Sequence, residues 1–228
     1  MPPVERHIRV HRTARFYVLG APAKQATELW VACHGYGQLA ADFAAALEPL
    51  ADGSRTVVVP EALSRFYLDD PAKRHGPGSP VGASWMTRED REREVVDHVE
   101  YLDSVTSTLR RESGNERLPV IGLGFSQGVA TVARWAALGR TEIRHLILWA
   151  GTVPPDLPKD RGNDLFRGAS LVIVAGRRDQ LLSPDAAERE RAELERRGLR
   201  AQVVLFDGGH SLSGQTLRQI ASEISSGA

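Results

Sequence analysis

Cysteine occurs once in the chain, at Cys33. A single thiol cannot close an internal disulfide or build a thiolate metal cluster, and its place in an apolar run marks a small buried hydrophobe. Lysine is scarce too, confined to Lys24, Lys73 and Lys159, so the basic complement is almost wholly arginine. The 29 basic residues are matched by 29 acidic ones, for a formal net charge of zero. That balance removes the electrostatic footprint by which nucleic acid or an anionic membrane surface is recognised. Long apolar runs are missing as well. Nothing approaches the roughly 18 residues of a membrane span, and Met1 to Arg15 is charged throughout, without the apolar centre of a secretory signal. These absences lead us to expect a soluble, cytoplasmic protein acting on a small neutral molecule.

What is present suits one domain over residues 1–228: the hydrophobic share is 42%, there is no internal repeat, and the length supports one core. His7 to His11 and Ala14 to Leu19 alternate apolar and polar residues, which predicts an antiparallel pair at a sheet edge, where two copies of the chain could also meet. Leu29 to Cys33, Val57 to Val59, Leu118 to Leu123, Arg144 to Ala150, Leu171 to Ala175 and Ala201 to Phe206 read as strands. Most are continuously apolar, as strands covered on both faces are. Between them, Phe43, Leu47 and Leu50, then Val95, Val99, Leu102, Val105 and Leu109, recur at helical spacing. Thr87 with Asp90 resembles a capping box, and Ser183-Pro184 a helix start. Strands alternating with helices predict an α/β fold, a mostly parallel sheet with an antiparallel N-terminal edge and helices on both faces. Pro60 to Ala83 reads as a long irregular stretch, and the loop at 61–86, bearing Leu63, Phe66, Tyr67, Leu68, Trp85 and Met86, is expected to wall a site.

Gly124-Phe125-Ser126-Gln127-Gly128 joins an apolar strand to a helix. A serine hydroxyl is a weak nucleophile until a base takes its proton, so a catalytic serine needs a turn that lifts it into the open. Glycines two residues to either side permit such a turn. Ser126 also opens a helix, whose free N–H groups favour the negative charge of an oxyanion. The pentapeptide alone also occurs as an ordinary glycine-flanked turn, so the reading depends on partners.

In open parallel sheets, sites gather where strands end, and Ser126, Asp179, His210 and the loop His34 to Gly37 each follow a predicted strand. Only His210, of seven histidines, lies beyond Asp179 in sequence. Gly208 and Gly209 let its loop fold towards Ser126. Asp207 competes with Asp179 for the role of acid, but it sits too close to His210 along the chain for good geometry, and Asp179 is preferred. Asp185 reads as a charge complementing a helix start. His98, beside an apolar stripe, reads as a surface or core-edge residue.

The order Ser, Asp, His is that of α/β-hydrolases. With Cys33-His34-Gly35-Tyr36-Gly37, Gly124-Phe125-Ser126-Gln127-Gly128, Ala83-Ser84-Trp85 and Gly209-His210, the chain resembles, over nearly its whole length, the phospholipase/carboxylesterase family that includes acyl-protein thioesterases. The resemblance implies an α/β-hydrolase fold, an oxyanion hole from the backbone N–H groups of Tyr36 and Gln127, and a pocket lined by Trp85 and Met86. It also makes His34 structural rather than a base. The family usually follows this tryptophan with an aromatic residue and an aspartate. Here Met86 and Thr87 stand there.

The resulting expectation is an ester hydrolase using Ser126, Asp179 and His210 through an acyl-serine intermediate, with no metal or organic cofactor. A short to medium acyl group is expected, because no large helical lid is evident. An acyl thioester would be served by the same residues, and a non-catalytic binding module of the same fold is the contrasting class.

Overall fold

The computed structural model describes residues 2–70, 72, 74–158 and 164–227. Residues 159–163, between the predicted strands Arg144 to Ala150 and Leu171 to Ala175, fall outside them. The chain forms a seven-stranded sheet from β1 (Phe16–Gly20), β2 (Glu28–Cys33), β3 (Arg55–Pro60), β6 (Val120–Phe125), β7 (His145–Trp149), β8 (Ser170–Gly176) and β9 (Ala201–Phe206). Their order is β1-β3-β2-β6-β7-β8-β9, and only β1 runs antiparallel to its neighbour. β2, β3 and β6 are buried along their whole length, which is why they read as unbroken apolar runs.

Helices cover both faces. α1 (Ala40–Ala46) and α5 (Gly214–Ser225) pack on one through Phe43, Ala44, Leu217 and Ile220. α2 (Arg91–Ser113), α3 (Gln127–Leu138) and α4 (Pro184–Arg196) pack on the other, where Val99, Leu102, Val105 and Leu109 form the predicted buried stripe. Ser183 caps α4 by accepting the Ala186 N–H, with Pro184 in the first turn. Among the described residues, no helix is long and apolar enough to cross a membrane.

Four expectations are corrected. His7 to His11 forms no strand: His7 bonds Asp90 and Arg9 bonds Glu100, so side chains draw the segment over α2, and β1 pairs with β3 instead. The stretch after Pro60 is not structureless; β4 (Ser64–Tyr67) and β5 (Val81–Ser84) make an antiparallel hairpin. α2 begins at Arg91, not after Thr87, because Asp90 takes a left-handed φ of 43° and Thr87 instead accepts the Glu89 N–H. His98 is core, 1% exposed and edge-on to Trp85.

Glu61, just beyond β3, ties the N-terminal segment to the sheet. Its carboxylate, with a side chain wholly buried, takes two bonds from Arg15 at 2.7 Å, one from Arg65 at 2.5 Å and the Ala40 N–H at 3.3 Å. Burial alone would raise its pKa, but those donors outweigh it and hold the carboxyl below its usual range.

Candidate active site

Ser126 stands between β6 and α3 with φ 53° and ψ −117°, a conformation costing a non-glycine residue about 1–3 kcal/mol. The flanking glycines make that turn possible. A Cβ on Gly124 would stand 2.3 Å from the Gly128 carbonyl oxygen, and one on Gly128 only 2.1 Å from that of Cys33. The Ser126 N–H donates to Trp149 O at 2.9 Å, which anchors the turn to β7.

Against it lies the loop after β2. A Cβ on Gly35 would be 3.3 Å from that of Ser126. His34 is buried; its Nε2 accepts the Ala62 N–H at 3.1 Å, so the ring proton sits on Nδ1 and goes to Gly35 O at 2.8 Å. Burial lowers its pKa and keeps the ring neutral. With both nitrogens committed, His34 is a strut. Gly35 N–H donates to Gln38 Oε1 at 2.8 Å and Gly37 N–H to Ala83 O at 2.9 Å. Among the described residues, the N–H groups of Tyr36 and Gln127 have no acceptor.

His210 follows β9, and its Nδ1 lies 2.9 Å from Asp179 Oδ2. Asp179 follows β8, is 4% exposed, and uses its other oxygen to accept the N–H groups of Leu181 at 2.8 Å and Leu182 at 3.1 Å. The two loops are laced together by Arg177 N–H to Phe206 O and Arg178 N–H to Gly208 O. Gly176 permits that approach, since a Cβ there would fall 2.4 Å from Gly209 O. Asp207 instead pairs with Arg178 in solvent, its side chain 77% exposed. The His210 ring packs 5.0 Å from that of Phe125, next to the serine, with Nε2 on the side away from Asp179.

Trp85 and Met86 are held by Gln127. Its side chain accepts the Trp85 N–H at 3.0 Å and donates to Met86 O at 2.9 Å. Trp85 is 3% exposed and donates from Nε1 to His34 O at 2.9 Å, so it braces the His34 to Gly37 loop. Met86 is partly exposed, its sulfur 3.3 Å from the Arg134 guanidinium. On the α1 and α5 side, a cleft of about 740 Å³ opens at His210, with Phe43 and Phe125 beneath it and Gln38, Glu48 and Arg218 among its walls.

No protein-family model matches the chain, and neither does the sequence of any curated protein. Solved structures do. A carboxylesterase from Mesorhizobium loti superposes with a TM-score of 0.69 at 19% identity, over 92% of this chain and 94% of that one. The topology, the elbow and this likeness decide the fold. The chain has the α/β-hydrolase fold. A Bacillus cereus carboxylesterase gives a TM-score of 0.66 at 17% identity, covering 94% and 95% of the two chains. Acyl-protein thioesterase 2 of Zea mays gives 0.68 at 16%, covering 94% and 99%. Within the α/β-hydrolase fold the ends of the parallel strands β2, β6, β8 and β9 share one rim, and the His34 to Gly37 loop, Ser126, Asp179 and His210 each follow one of them.

The sequence held no direct sign of Gln38, an ordinary polar residue in a loop until the fold aims its carboxamide at Gly35.

Proposed function

We propose that the chain is a serine hydrolase that cleaves carboxylic esters through an acyl-serine intermediate, with Ser126 as nucleophile, His210 as base and Asp179 as its orienting acid. The observation that carries this reading is the 2.9 Å bond from Asp179 to His210 Nδ1, made on the rim where the strained Ser126 turn stands. Nδ1 so fixed leaves Nε2 to take the serine proton as Oγ attacks the carbonyl carbon. The carbonyl oxygen becomes an oxyanion, for which Tyr36 N–H and Gln127 N–H are the unspent donors; losing one such donor typically costs about 10²–10³ in rate. His210 returns the proton to the leaving oxygen as the carbon–oxygen bond breaks. Water, activated by the same ring, then releases the acid and frees Ser126.

Met86 meets the acyl group in this reading, with Trp85 as its support. In this reading the short β4–β5 hairpin, whose Ala83 exchanges backbone bonds with Gly37 and Gln38, takes the place of a helical lid, which favours short to medium acyl groups. A second reading, acyl thioester hydrolysis, is favoured by the likeness to a plant acyl-protein thioesterase and needs no change in the triad.

Hydrolysis of p-nitrophenyl esters and acyl-CoA thioesters from two to sixteen carbons tests both. The wild type should turn over the shorter esters fastest, and Ser126→Ala and His210→Ala should lose at least about 10³ in kcat. Equal rates in wild type and Ser126→Ala would refute the catalytic reading and leave a binding module of this fold.

A further inference from the structure

The reaction proposed above leaves one half of the substrate unplaced, and this inference rests on that reaction. A carbonyl carbon attacked by Ser126 directs its oxygen to Tyr36 and Gln127. Its leaving oxygen has to come within reach of His210 Nε2 to receive the proton. Whatever is attached to that oxygen therefore runs away from the serine on the side of His210. The cleft that begins there is lined by His210, Ser211 and Leu212 on one side and by Gln38 and α1 on the other.

We propose that this cleft is the leaving-group subsite and that it takes a neutral, hydroxyl-rich alcohol such as glycerol or a sugar. Its volume of about 740 Å³ exceeds what a methyl or ethyl group fills. Phe43 and Phe125 give an apolar floor, and the polar groups above it are of both kinds. Glu48 offers an acceptor and Arg218 a donor; both are exposed, and no ion pair joins either to another group among the described residues. Gln38 adds a second donor, because its Oε1 is committed to Gly35 N–H and its amide nitrogen is left over. Gly214 keeps the Arg218 end open: a Cβ there would stand 3.0 Å from Pro49 Cγ and 3.8 Å from Arg218 Nη1. One carboxylate and one guanidinium sum to no net charge, so an anionic alcohol gains from Arg218 what it loses to Glu48. Hydroxyl groups are served by both.

Ala45 and Ala46 are exposed on the α1 wall of the cleft, so they can be enlarged without touching the core. Two substrates with the same butyryl group, 1-butyrylglycerol and methyl butyrate, separate the leaving group from the acyl group. Ala45→Trp and Ala46→Trp should lower kcat/KM for the glycerol ester about tenfold or more and leave the methyl ester within about twofold. Glu48→Ala and Arg218→Ala should each lower the glycerol ester about five- to tenfold, with the methyl ester again unchanged. Equal losses on both esters, or none on either, would overturn the subsite. A wild-type preference for the butyryl ester of glycolate over that of glycerol, abolished by Arg218→Ala, would overturn the neutral class in favour of an anion. Fluorophosphonate labelling runs alongside: labelled variants with altered ester ratios support the subsite, whereas an unlabelled, folded wild type would overturn the hydrolase reading itself.

Discussion

The carboxamide oxygen of Gln38 accepts the N–H of Gly35 at 2.8 Å, closing the loop that carries Tyr36. The backbone N–H of Gln38 donates back to Gly35 O at 3.3 Å, and its carbonyl takes the Ala83 N–H. In the proposed mechanism Gln38 is a positioning residue for the oxyanion donor, Tyr36 N–H. On methyl butyrate, whose leaving group does not reach the cleft, Gln38→Ala should lower kcat about 10- to 100-fold with little change in KM, since the donor is needed most in the transition state. Gln38→Glu keeps the accepting oxygen and should recover most of that loss at pH 8. Steady-state kinetics of the two variants checks it; no difference between them would assign Gln38 no such role.

Asp179 and Asp207 make a paired prediction. Asp179→Asn should cost about 10³–10⁴ in kcat, because the amide no longer holds His210 in the required tautomer. Asp207→Asn should change kcat less than about threefold, as its partner is the solvent-exposed Arg178 and exposed pairs contribute little. Parallel assays on one ester decide between the two carboxylates.

Gly128 meets a harder limit than Ser126. With the Cys33 carbonyl 2.1 Å from where a Cβ would stand, Gly128→Ala forces backbone apart in β2 or α3. The expected loss is about 3 kcal/mol or more, alongside lost activity. Urea unfolding followed by circular dichroism measures it, and a midpoint within error of wild type would contradict the packing described.

His98 sets part of the acid limb of stability. Burial, then the charge of Arg134, push its pKa down to about 4, against a weaker pull from the Trp85 backbone. An unfolded histidine titrates near 6.5. Between about 6.5 and 4 the unfolded chain binds a proton that the folded one refuses, so stability falls as pH drops through that window and levels off below it. His34 and His145, also lowered by burial, steepen the same limb. Glu61, Asp103 and Asp156 are held below the usual carboxylate range, so their contribution is lost only at lower pH. His98→Leu should therefore shrink the difference in urea midpoint between pH 7 and pH 4.5; an unchanged difference would contradict this.

The central strands were legible because burial on both faces leaves an unbroken apolar signature, as in Leu29 to Cys33 and Leu171 to Ala175. The rim was legible because catalytic residue types follow those strands directly. Where side chains rather than burial decide the path, the sequence carried less. The alternation at His7 to His11 has the period of a strand, yet His7 and Arg9 spend their polar face on Asp90 and Glu100. Ser64 to Tyr67 is too short, and too closely followed by prolines, to stand out as a strand before Val81–Ser84 pairs with it. Gln38 becomes informative only once the loop folds back on Gly35.

The proposed chemistry turns on the reactivity of one oxygen. Folded wild-type protein treated with a fluorophosphonate and measured by intact mass should gain a single adduct, mapped by peptide fragmentation to Ser126. Ser126→Ala should gain none. An unmodified wild type, or an adduct that survives the Ser126→Ala change, would contradict it.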